Sequence, residues 1–454
     1  MTFMNWLPEL CIFLQLFVML TCLNFRSVIY RSLPLLSSGV SLITLAYFAW
    51  RSDLAFFDPP VKMLTSDSLA TFGRMFALLC LGLGSLNLHF HRSLTFGAKQ
   101  RATLFLLFFA FFLCGAFQAN SILLFCVSWA GAYLSVARII LIESKLSESW
   151  IRSFRQHTLP LALIVCLFIL LSVVMAQVTG SIYISDFVVW IKTAQDRHGL
   201  MLAVGGFILT IGSLLVHGMI LQGEGPLSLA LLNLFIWTTA SLFWFRIGVP
   251  FLEESAMLPK EISQHVIGLM FGVFALRYSV QAFRTRSHFQ WLSAIYPASI
   301  GMGFFVILLG VDRALPAFYI LSLSYLFTFL FAGQAFLEIE YRNKALTVFG
   351  LLALIGFPPL VLGDQYFRLI RNTFEAGLLP LSILLVLIWF TLSVSVMQML
   401  SKVILVKNGL ITYRKIFAYE VLFIVIYTIG VISLTALRPA LIALLNDHPV
   451  SYLW

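Results

Sequence analysis

The sequence predicts an all-α polytopic membrane protein. It should have about fourteen transmembrane helices, an inverted five-helix repeat, and broken helices in spans 7 and 12. Three observations carry this expectation. The 454 residues are 61% hydrophobic and only 11% charged, with a mean hydropathy of +0.98, a balance foreign to soluble domains. Apolar runs of about 20 residues recur along the chain, the length a helix needs to cross a bilayer, and the alternating segments of a barrel are absent. Two of those runs carry glycine-rich or proline-rich interruptions near one end or the middle.

Taken in order, the spans are expected at roughly 4–24, 32–50, 68–90, 102–119, 120–142, 158–178, 199–221, 225–245, 263–283, 289–311, 314–335, 345–367, 378–401 and 418–445. The turns at Gln118-Ala119-Asn120 and Gln222-Gly223-Glu224-Gly225-Pro226 are tight, yet merging either pair would make an overlong span. The N-terminal MTFMNWLPEL has no basic leader, so it reads as a first span and not as a cleaved signal. Lys and Arg are more abundant in the odd-numbered loops, among them Arg92, Lys99, Arg152, Arg284, Lys407 and Lys415. By the positive-inside rule those loops are cytoplasmic and both termini face outward. The net charge of +10 is thereby accounted for as topology and headgroup contact, with no nucleic-acid partner. The six cysteines all lie inside apolar runs without a CxxC, which argues against a disulfide framework or a metal site.

The stretch Leu351–Phe374 organises the rest. It opens as an apolar helix, is interrupted by Gly356, Pro358 and Pro359, and resumes through Gly363 and Asp364. Proline lacks the N–H that an inner turn needs and clashes with the carbonyl four residues back. A bare break in hydrocarbon leaves polar backbone unpaired, so the break must face protein or water. Broken helices of this kind serve transport in carriers, and proline kinks also serve packing alone; the break by itself leaves both readings open. The seventh span, ending near His217 and QGEGP, shares the pattern five spans earlier. A repeat of odd length enters the membrane inverted. The expected organisation is a three-helix extension (1–101), a first five-helix repeat (102–245), a second, inverted repeat (263–401), and a C-terminal helix and tail (402–454).

At this point the residues resemble a known family, the antiporter-like membrane subunits of proton-pumping NADH:quinone oxidoreductase (complex I), subunit N above all. The opening LPEL is similar to the family's LPE start, and LTSDSLATFGRMF at 64–76 to its entry into the third span. QGEGPLSLALL at 222–232, VQAFRTRSHFQWLSAIYPASIGMGFFV at 280–306 and IGFPPLVLGDQYF at 355–367 fall where the family has its loop into span 8, its tenth-span run and its broken twelfth span. The resemblance covers most of the chain through order and spacing, although no single motif is intact, and Mrp-type antiporter subunits share the same core. It implies membrane-subunit partners, a lipid environment and protons or cations as cargo, with no cofactor and at most a translocase role.

The departures from the family matter more. Its fifth-span glutamate falls at or next to Trp129, its seventh-span lysine within Thr210–Ser213, and its eighth-span lysine at Ile236 or Trp237. Its tenth-span histidine falls at Ser299, and its twelfth-span charge at Gln365 or Tyr366. The implied reading is a degenerate scaffold or partner-binding subunit without a complete proton path. Two alternatives are an active translocator using non-standard residues and, from another class, a lipid-linked oligosaccharide flippase.

Five residues remain as candidates for an ion path or a buried polar role: His217, Arg277, Ser299, Asp364 and Arg368. Histidine is a natural proton carrier, but His217 stands near the expected cytoplasmic boundary, where a structural role is the simpler reading. Asp364 could cap a half-helix or pair with Arg368 at i+4. Arg277 is always charged and needs a carboxylate, carbonyls or a lipid phosphate. Arg74 stands in the same position inside span 3, while Glu9 reads as an outer-interface residue. His89 and His91 flank a loop and lack further metal ligands, and no catalytic set is visible.

Overall fold

The structure, a computed structural model, describes residues 6–22, 32–50, 63–65, 67–91, 94–143, 150–193, 225–248, 260–285, 288–309, 311–339, 344–356, 361–405 and 425. Among these, every regular element is a helix. The chain divides into two compact units, Met1–Met257 with Leu445–Trp454, and Leu258–Leu444.

The first unit contains α1 (Leu7–Cys22), α2 (Leu33–Trp50), α3 (Ser68–Phe90), α4 (Phe96–Gln118), α5 (Ile122–Glu143), α6 (Trp150–Thr179), α7 (Ile184–Thr193) and α8 (Pro226–Phe243). A π-helical turn, Trp244–Gly248, continues α8. The second unit contains α9 (Lys260–Arg284), α10 (His288–Gly303), α11 (Val311–Ile339), α12 (Lys344–Ile355), α13 (Val361–Glu375) and α14 (Leu379–Leu405). A 3-10 turn, Phe304–Leu308, ends α10.

Among the described residues, nine helices are long and apolar enough to cross a membrane. All but two of the expected spans fall on helices; the seventh and, apart from residue 425, the fourteenth lie outside the described residues. The expected twelfth span is divided, with α12 ending at Ile355 and α13 beginning at Val361. One expectation needs revision. The segment 179–198 reads as a loop but contains α7, ten residues whose Ile184, Phe187 and Val188 are buried. Ten residues rise only about 15 Å, too little for the hydrocarbon core, so hydropathy over a span-length window passes over them.

Local chemistry explains where the helices start and stop. Asp67 caps α3 by accepting from the Ala70 amide at 2.8 Å, while its own backbone is extended. The tight turn after α4 is stitched on both sides: Thr65 donates to the Gln118 carbonyl at 2.7 Å, and Ile184 donates to that of Asn120 at 2.7 Å. These contacts satisfy the backbone exactly where the helix ladder ceases. Pro226 occupies the first turn of α8, where a missing N–H costs nothing.

Each unit has a span that is enclosed more fully than its other spans. Leu227–Gly248 is 94% buried in the first unit and Gln290–Leu308 is 94% buried in the second, whereas Ala162–Thr179 is only 28% buried. The first two therefore form the cores, and the last presents an apolar flank suited to lipid.

Candidate functional site

The break between α12 and α13 is built from two glycines. Gly356 has φ +67°, a left-handed conformation that L side chains rarely adopt. A Cβ on Gly363 would collide with the Gly356 carbonyl oxygen, so the two backbones meet directly. The end of α12 is closed by Trp389 of α14, whose Nε1–H donates to the Ile355 carbonyl at 3.0 Å. Trp389 stands near the middle of the apolar stretch Leu379–Lys402, which puts the break at mid-span. Pro358 and Pro359, the other half of the expected break, lie outside the described residues.

Beside the break, α10, α11 and α13 bring hydroxyls together. Ser299, Tyr325 and Tyr366 are fully buried. Tyr325 Oη donates to the Ser299 carbonyl at 2.6 Å. Tyr366 Oη lies next to the Ser299 and Tyr325 hydroxyls without a well-aligned hydrogen bond to either. Tyr296, one turn before Ser299, donates to the Phe329 carbonyl at 2.9 Å. The cluster is polar and neutral, because serine and tyrosine hydroxyls carry no charge at neutral pH. It can orient water or a hydrogen-bonding ligand, but it holds no resident charge.

In the first unit, the surroundings of Trp129 are aromatic. Trp129 stacks on Tyr133 with ring centroids 5.7 Å apart and planes 9° from parallel. Phe235 of α8 lies 5.7 Å from Trp129, and Phe168 of α6 lies 5.8 Å away. Phe168 in turn meets Phe243 edge-on at 5.6 Å. Each such pair adds about 0.5–1.5 kcal/mol beyond its burial. The polar side chains of α8 turn back onto their own helix: Asn233 donates to the Leu229 carbonyl, Thr238 to that of Leu234 and Thr239 to that of Phe235. None of these three bonds extends toward the aromatic cluster.

Three pairs of oppositely charged or chargeable side chains stand out in the first unit. Arg246 and Asp67, each about 1% exposed, make a two-pronged pair at 2.9 and 3.1 Å. Arg246 also donates to Thr65 Oγ1 and to the Phe117 carbonyl, both at 2.8 Å. Arg74 binds Glu9 at 2.7 and 3.1 Å, and Gln118 donates to the same carboxylate. Glu9 is therefore a partner for the arginine of span 3 and not a free interface residue. Near the other end of these helices, Glu143 lies 3.4 Å from His91 Nε2, and its second oxygen accepts from the Ser228 amide at 2.8 Å. Gly225 precedes α8 without a side-chain cap, and the Glu143 carboxylate packs so close to it that a Cβ would collide. A carboxylate from α5 thus caps α8, favoured by the partial positive charge of a helix N-terminus.

Among the described members of the five candidates, Ser299 is the one buried in a polar cluster, while Arg74, also noted in the sequence, is buried against Glu9. Asp364 and Arg368 pair at 2.7 Å, each a little under half exposed, and Arg371 pairs with Glu375 one turn further on. The Arg371 hydrogen bond, aided by Arg313, holds the exposed Glu375 carboxyl below its usual range. Arg277 is exposed on α9. α9 and α13 turn Arg277, Asp364 and Arg368 toward the surface, where Asp364 and Arg368 make the i+4 pair expected of them. His217 lies outside the described residues. Among the described residues no three His, Cys, Asp or Glu side chains gather as metal ligands.

Sequence reasoning missed Arg246, Glu143 and Tyr325. A lone arginine near the end of an apolar span and an acid ending another were the available signals; their partners stand 179 and 85 residues away.

Solved structures share this architecture. A chain of respiratory complex I from Thermus thermophilus superposes with a TM-score of 0.73 at 16% identity, over 97% of this chain and 99% of that one. A chain of the archaeal membrane-bound sulfane sulfur reductase gives 0.74 at 11% identity, over 98% and 96%. A chain of the Mrp complex from Dietzia sp. DQ12-45-1b gives 0.73 at 13% identity, over 100% and 99%. The fold is the one these chains of complex I, the sulfane sulfur reductase and the Mrp complex have in common. It is shared along nearly the full length of each chain. No protein-family model and no curated protein matches the sequence. Fold likeness at this identity does not carry residue roles with it.

Proposed function

We propose that the chain is an antiporter-like integral membrane subunit of a complex I-type or Mrp-like ion-translocating assembly, serving as a scaffold or partner-binding element without a complete proton path of its own. The observation that carries this reading is Trp129. It stands at or next to the position expected for the family's fifth-span glutamate and is packed among Tyr133, Phe168 and Phe235. A charge relay needs groups that change charge and bias one another through a low-dielectric interior. An indole in an aromatic stack does neither. The neutral Ser299–Tyr325–Tyr366 cluster supports the same reading in the second unit.

On this reading the two five-helix repeats, 102–245 and 263–401, are inverted with respect to each other, both termini face outward in a bacterial-type inner membrane, and the partners are other membrane subunits. The test is proton flux in proteoliposomes. The parent chain should match empty liposomes. A parent flux well above that baseline, collapsing in His217→Ala or Asp364→Asn, would restore the translocator and make those residues its carriers.

A further inference from the structure

One face of α9 changes character along its length. Val266, Met270 and Val273 are each more than half exposed, an apolar stripe suited to acyl chains. The same face then carries Arg277, Gln281 and Arg284 at i, i+4 and i+7. These three line a groove of about 530 Å³ with Val273, Leu276, Val280 and Thr285. Arg284 ends the span Gln264–Arg284, so Arg277 stands about 10 Å inside it.

Neither guanidinium has an acidic partner among the described residues. The helices packed on α9 are α10 and α14, and their sequences contain no Asp or Glu. The acid of α9 itself, Glu261, is at the opposite end. Arginine cannot shed its proton here, and an uncompensated charge within a span is costly. The groove offers an apolar wall in line with two forked donors and an amide.

We infer that this groove is a binding site for one anionic glycerophospholipid. The phosphodiester would sit between Arg277 and Arg284, with Gln281 as a further donor and an acyl chain along Val273, Leu276 and Val280. Guanidinium forks match phosphate oxygens in geometry and charge. Two positive charges with no carboxylate select a lipid with net negative charge, because the ammonium of a zwitterionic headgroup would be repelled.

Native mass spectrometry of the full chain in mild detergent tests this, with phosphatidylglycerol and phosphatidylcholine titrated separately. The parent should retain phosphatidylglycerol about tenfold more than phosphatidylcholine, the scale of one charge-assisted contact. Arg277→Gln with Arg284→Gln should abolish the preference at an unchanged elution volume. Arg277→Lys with Arg284→Lys, which keeps the charge, should retain it and so separates charge loss from misfolding. Equal retention of both lipids by the parent, survival of the preference in the glutamine variant, or its loss in the lysine variant would each overturn the site.

Discussion

Arg246 grips Asp67 through two nitrogen–oxygen contacts of 2.9 and 3.1 Å, and both side chains are shut off from solvent. Asp67 simultaneously caps α3, so one carboxylate fixes the start of that helix to the π-helical end of α8. The desolvation of such a pair offsets much of its attraction, but removing one member strands the other.

Asp67→Asn should therefore cost about 3–5 kcal/mol of stability, far more than a surface change. The double variant Asp67→Leu with Arg246→Met should recover much of that loss. Thermal unfolding in detergent measures both. A double variant as unstable as the single one would mean that losing the cap, which asparagine keeps and leucine cannot make, costs as much as the stranded charge.

The glycine contact at the break makes a second prediction. Gly363→Ala should destabilise by about 1–3 kcal/mol, because the new methyl meets the Gly356 carbonyl and not a yielding side chain. Gly39→Ala in α2 is the control, since a Cβ there has open space around it. Equal melting temperatures for the two variants would show that α12 and α13 separate easily.

Trp129→Ala should cost about 3–5 kcal/mol by emptying the centre of the aromatic cluster. Proton flux through reconstituted chain should stay at the empty-liposome level. A variant that leaks protons while remaining folded would reveal the indole as a plug in a conducting path and would count against the scaffold reading.

The inverted repeat is open to labelling. Cysteines introduced at Glu224 and Glu375 should react with impermeant reagent from opposite sides of the membrane, Glu224 from the cytoplasmic side. Labelling of both from one side would remove the inverted relation and favour a flippase-like arrangement.

Hydropathy made the long helices legible because each buries or exposes an uninterrupted apolar run. The break in the twelfth span was legible because glycine and proline act locally on the backbone. Partnerships were not. Arg246 finds Asp67 across 179 residues, and nothing near either residue names the other. Ser299 could be singled out through its alignment, but Tyr325, which reaches its carbonyl from α11, reads in sequence as one more apolar-span tyrosine. The fate of Arg277, Asp364 and Arg368 depended on which face of a helix turns outward, which a few residues of packing register decide.

The hydrogen bond from Trp389 to the Ile355 carbonyl also sets a schedule. The donor is encoded 34 residues after the acceptor, so it leaves the ribosome later than α12 does. At ordinary synthesis rates about 2–7 s pass before it emerges. During that interval the broken end must lean on water, on lipid headgroups or on the insertion machinery. The half-helices are thus completed by a residue that arrives last, and a chain truncated before α14 would be left with an open seam at the centre of its second unit.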